Sequence, residues 1–134
     1  MRKYICTIIT VLLVFVLCSC GGKVDGTKTR DVASEIYTKE DITSAIDTIK
    51  REFKNNWNGC TLTEIYYAGD EYSEGYQDWA DRNNADDVIV LLSSFKVDSS
   101  GGDGSLNPNS TYNNWEWILV RTSGEKWKHV DHGY

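Results

Sequence analysis

The chain of 134 residues sets 20 acidic side chains against 14 basic ones, for a formal net charge of −6, and contains a single proline. Phosphate contacts need clustered Lys and Arg, so this balance argues against nucleic acid as a partner, and an acidic domain is repelled by an anionic lipid surface. With no internal repeat and little proline, neither a solenoid nor a disordered stalk is expected.

The chain opens Met1-Arg2-Lys3 and then runs "YICTIITVLLVFVL" from Tyr4 to Leu17 without a charge. A basic head followed by about a dozen apolar residues matches a secretory signal, and it falls short of the roughly 20 needed to span a bilayer. Leu17-Cys18-Ser19-Cys20-Gly21 follows: a large aliphatic residue, two small ones, then cysteine. This resembles the lipobox of bacterial lipoproteins, with Cys18 a departure from the more usual Ala or Ser. The resemblance implies removal of residues 1–19 as a signal peptide and acylation of Cys20. It also implies a cell-membrane location, lipid-anchored on the extracytoplasmic face. One acyl chain holds only marginally at about 0.8 kcal/mol per buried methylene, so the implied diacylglycerol is what makes the anchor stable.

Of the four cysteines, Cys6 and Cys18 leave with the signal and Cys20 carries lipid. Cys60 remains alone, which rules out an intramolecular disulfide in the mature protein and predicts a buried apolar thiol. "GGKVDGTKTR", Gly21 to Arg30, holds little to bury and reads as a flexible stretch; the tether is assigned to 20–35 and the folded domain to 36–134.

In chain order, Thr38 with Asp41 forms a capping-box-like start. Ile42, Ala45, Ile46, Ile49 and Phe53 then make one apolar helical stripe, which Gly59 in "NNWNG" closes. "CTLTEIYYA", Cys60 to Ala68, reads as a strand. Tyr72, Tyr76 and Trp79 are spaced for one face of a short second helix. "VIVLLSSFKV", Val88 to Val97, is apolar on both alternating sets, so both faces need cover; the first helix can supply one and a second subunit the other, which predicts a homodimer. A long turn-forming loop from Asp98 leads to two strands, Trp115 to Arg121 and Lys126 to His132, joined by the three-residue loop "TSG".

That loop predicts a register in which Arg121 faces Glu125, Leu119 faces Trp127, Trp117 faces His129 and Trp115 faces Asp131. Trp115, Trp117, Trp127, His129 and Asp131 would then share a face and line a ligand pocket.

The element order predicts an α+β fold with an antiparallel sheet. It resembles the nuclear-transport-factor-2-like (cystatin-like) cone, in which a curved sheet wraps a long N-terminal helix. From Thr38 to Tyr134, and most of all in the ending "VLLSSFKVDSSGGDGSLNPNSTYNNWEWILVRTSGEKWKHVDHGY", the chain resembles small uncharacterised bacterial lipoproteins. The cone superfamily includes isomerases, dehydratases, secretion-system parts and non-catalytic binders, so fold alone implies no chemistry.

His129 and Asp131, two apart on a strand, could act as an acid–base pair in an isomerase- or dehydratase-like site. A zinc reading of "HVDH" fails on alternation, which sends His132 to the opposite face. "DSSGGDGSLN", with Asp98 and Asp103, lacks calcium-loop spacing, because Leu106 stands where a carboxylate is required. No metal or cofactor is expected. The leading expectation is a non-catalytic domain binding a partner protein or a small ligand. The alternatives are the enzyme just described and a structural part of an envelope secretion or conjugation assembly.

Overall fold

The structure, a computed structural model, describes residues 21–134; Cys20 and the signal peptide expected over 1–19 lie outside the described residues. Helix α1, Lys39–Asn56, begins as expected: the Thr38 hydroxyl accepts from the Asp41 amide at 3.1 Å, and the Asp41 carboxylate accepts from the Thr38 amide at 3.0 Å. Two amides that the first helical turn would leave unpaired are thus satisfied reciprocally. Ala45, Ile46, Ile49 and Phe53 of the stripe are buried. Gly59, at φ +74°, makes the left-handed turn into the sheet.

Four strands follow: β1 (Cys60–Tyr67), β2 (Asp87–Val97), β3 (Thr111–Arg121) and β4 (Lys128–Gly133), an antiparallel meander in chain order. Register shifts between Leu62 and Glu64 and between Ser93 and Phe95 interrupt the pairing. Such bulges bend and twist a sheet, here into the curve that receives α1. Ile49 and Phe53 pack there with Leu62, Ile65, Leu91, Phe95, Trp117 and Leu119 in the main core. The α+β class and the curved antiparallel sheet are therefore as expected.

Between β1 and β2 the single expected helix is two, α2 (Asp70–Glu74) and α3 (Gln77–Arg82). Gly75, a weak helix former, stands at the break, and the Tyr76 amide donates back to the Ser73 carbonyl in a tight turn. Buried Ser73 accepts from the Val90 amide at 3.1 Å, tying this segment to β2. Ala80, with Trp79 and Tyr76 against it, covers Val88, Val90, Ile118 and Val120 in a second core. The β2 face that suggested a second subunit is thus covered by α2 and α3 of the same chain.

The stretch expected to be a flexible tether is docked instead. Lys23 donates to the Cys60 carbonyl at 2.9 Å and accepts from the Leu62 amide at 2.8 Å; Lys28 does the same with Thr63 and Ile65, at 3.0 and 2.9 Å. These parallel bridges lay residues 23–28 along the free edge of β1. The Gly22 amide lies 3.2 and 3.1 Å from the Phe53 and Lys54 carbonyls; the first also accepts from the Trp57 amide, and the second is one of the carbonyls that the end of α1 leaves open. A Cβ on Gly22 would stand 2.5 Å from the Phe53 carbonyl oxygen and 2.8 Å from its ring. Glycine here serves close approach of backbone to backbone, not flexibility. Arg30 adds a two-pronged ion pair with Glu64, at 2.8 and 3.1 Å. The folded unit therefore takes in residues before the expected boundary at 36, among them Gly22, Lys23, Lys28 and Arg30.

Candidate functional site

The β3–β4 register differs from the expected one, and the difference rearranges the candidate site. The strands part at Arg121 and resume at Lys128, so the connection is Thr122 to Trp127 and not "TSG" alone. Val120 pairs with Lys128 and Leu119 with His129; beyond a bulge, Ile118 pairs with Asp131 and Trp117 with His132. The residue left over is Val130, which packs against the second core.

One extra residue reverses the alternation beyond it. His132, expected on the opposite face, comes to the same side as His129, and their ring nitrogens, Nδ1 and Nε2, lie 3.2 Å apart. Asp131 lies opposite Ile118, a residue of the second core, and leaves the indole face. The expected pairing of His129 with the Asp131 carboxylate is corrected accordingly: the partner of the His129 ring is His132. Burial against Trp117, then the neighbouring His132, push the His129 pKa below its ordinary value, partly offset by Glu52.

The three indoles expected to line a pocket separate into two roles. Trp117 is fully buried and donates its N–H to the Ser93 hydroxyl at 2.7 Å. Trp127 is buried beneath the Arg121 guanidinium, 4.2 Å away, and donates to the Asp41 carbonyl at 3.0 Å. Both are satisfied structural residues. Trp115 lines a groove of about 270 Å³ between the end of α1, the loop around Leu106 and the β3–β4 pair. Its Nε1 is buried and has no hydrogen-bond partner among the described residues.

Trp57 and His132 form the groove wall with Trp115, and Glu52 and Asp103 supply its carboxylates. In the sequence Trp57 stands out only as part of the helix terminator "NNWNG". It stacks on Phe53 at 5.5 Å and meets Trp117 and His132 at 5.0 and 5.1 Å. The signal was present, because Trp57 falls four residues after Phe53 and continues the stripe.

Cys60 is buried beside the groove, as expected, and its thiol is pushed up to about 11 by burial, with Asp98 and Asp103 adding to the effect. At neutral pH it is a protonated thiol and a poor nucleophile. The Asp98 and Asp103 carboxylates each accept from an amide two residues on, at 2.9 Å, so the glycine-rich loop satisfies its own acids. Among the described residues no group of three His, Cys, Asp or Glu side chains is placed to hold a metal ion. On the other face of the sheet, Tyr72 and Tyr76 stack and both donate to Glu116.

Set against known protein families, curated proteins and solved structures, the chain matches none of them. No helix among the described residues is long and apolar enough to cross a membrane.

Proposed function

We propose that this chain is a lipoprotein held at the extracytoplasmic face of the cell membrane through Cys20, and that its domain binds a small ligand without transforming it. The leader and the lipobox-like "LCSCG" support the anchor. A helix laid against a curved antiparallel sheet is compatible with the nuclear-transport-factor-2-like reading, and Ile49 and Phe53 of α1 pack into the main core on that sheet. The only histidines, His129 and His132, bond to each other, and the carboxylate proposed to orient one of them faces away.

The observation that carries the binding reading is the orphaned Trp115 N–H beside an aromatic groove. A buried donor without an acceptor costs about 1–3 kcal/mol, a cost that would be offset by a ligand oxygen whose entry turns the Trp115 indole enough to uncover its N–H. The walls set the rest of the specification. Two indole faces favour an apolar or aromatic body, and Glu52 and Asp103 favour a neutral or cationic one over an anion.

The test is a titration of the protein with small neutral and cationic aromatics, followed by the indole N–H resonance of Trp115. A binder should move that resonance first. Trp115→Phe, which keeps the ring and removes the donor, should weaken binding roughly tenfold, equivalent to about 1.4 kcal/mol. Equal affinity in wild type and variant, or turnover of any bound compound, would end this reading.

A further inference from the structure

The anchor and the fold meet at one point, and that point fixes an orientation. Gly21 and Gly22 are seated on the carbonyl end of α1: a Cβ on Gly21 would lie 1.9 Å from the Lys54 carbonyl oxygen, and the Gly22 amide donates there. Consecutive Cα atoms are about 3.8 Å apart, so residue 20 attaches within one peptide unit of this docked backbone. No slack segment separates the acylation position from the domain.

The surface around that point differs in charge from the acidic whole. Lys23 and Lys96 line a small groove with Gly21, and Lys54 follows on the adjoining turn of α1; all three are exposed. Asp98 is the carboxylate of that groove, and it is held by Ser100. Lysines this close to a bilayer are each attracted to anionic head groups. The end of α1, where β1 begins and β2 finishes, therefore presents three exposed lysines beside Asp98, with Glu52 and Asp103 in the adjoining groove, against the acidic excess of the whole chain.

From these two observations we infer that the domain sits flush on the membrane with this end down, Lys23, Lys54 and Lys96 against anionic phospholipid head groups. The inference rests on acylation of Cys20 as proposed above and adds an orientation to it. The Trp57–Trp115 groove, which shares Cys60 with the lysine-lined groove, then opens close to the bilayer surface. The turn at Ser123, whose amide donates to Asp86 just before β2, lies at the far end. At about 3.3 Å per residue, the length of β2 puts it about 30 Å further out.

The full-length acylated protein, reconstituted in phosphatidylcholine vesicles containing a quarter phosphatidylglycerol and a head-group nitroxide lipid, provides the test. A fluorophore is attached at Lys96→Cys in one variant and at Ser123→Cys in the other; the buried, protonated Cys60 thiol stays unlabelled. Quenching should be several-fold stronger at position 96 than at 123. A Gly/Ser insertion between Cys20 and Gly21 combined with Lys23→Glu and Lys54→Glu should abolish the difference. Equal quenching at both positions in protein that floats with the vesicles would overturn the orientation and leave the anchor standing. If the wild type fails to float, or floats no better than Cys20→Ser, the anchor itself falls and the orientation with it.

Discussion

At the end of the sheet where β3 finishes, Arg121 donates to Asp41 at 2.8 Å and to Asp87 at 3.1 Å while lying over the Trp127 ring. Toward the end where β2 finishes, the Trp115 N–H has no acceptor among the described residues, and His132 near it shares a single hydrogen bond with His129. The first end ties α1, β2 and β3 together with every charge answered, and its effect is stability. The second leaves polar groups unanswered beside a groove, which a fold tolerates where a ligand or a surface completes them.

The contrast is broken most directly by Arg121→Met, which strands Asp41 and Asp87 and removes the cation over Trp127. Removing one partner from a buried pair costs about 3–5 kcal/mol, and partial exposure of both carboxylates lowers the expected loss to about 2–3 kcal/mol. The urea midpoint should fall accordingly. Trp115→Phe at the other end should leave the midpoint within about 1 kcal/mol of wild type, because it removes a donor that nothing answers. A comparable loss in both variants would mean that the two ends do the same work.

Gly22→Ala comes next. The new methyl meets the Phe53 carbonyl and ring at distances that force backbone movement, an overpacking cost of about 2 kcal/mol. Amide exchange at Lys23 and Leu62 should quicken, because their bridges depend on this seat.

The smallest expected effect is the pH response. The His129 pKa lies below its ordinary 6.5, so the unfolded chain takes up the proton first as pH falls. The contribution of the neutral imidazole is complete above 6.5 and is lost progressively down to the folded value, after which the curve flattens. His129→Gln should remove that slope from thermal melts taken between neutral pH and pH 5. Asp41, whose pKa is lowered chiefly by the Arg121 hydrogen bond and then by Thr38, acts in a separate window below the ordinary carboxylate value.

What could be read in advance was local. Thr38 and Asp41 announce their cap within four residues, and Ala45, Ile46, Ile49 and Phe53 carry their period on their faces. Cys60 to Tyr67 and Val88 to Val97 identify themselves by β-branched and aromatic content. What escaped depends on partners distant in sequence. The hairpin register followed from taking "TSG" as the whole connection, whereas Trp127 leaves the ladder to lie under Arg121. Nothing in "KHVDH" marks Val130 as the extra residue, and that residue exchanges Asp131 for His132 on the indole face. Ala80 could cover β2 only because Gly75 breaks the helix before it. The glycines at 21 and 22 were read by composition, whereas their meaning lies in the carbonyls of Phe53 and Lys54.

The bridges from Lys23 and Lys28 to β1 have a colloidal consequence. An outermost strand with free amides and carbonyls invites sideways pairing with other copies of itself. Here residues 23–28 occupy that rim in parallel, with Arg30 clamped to Glu64 just beyond. At the opposite rim the last strand is short and broken at Val130. Residues 23–28 thus also keep neighbouring molecules from zipping together along β1 at high local density.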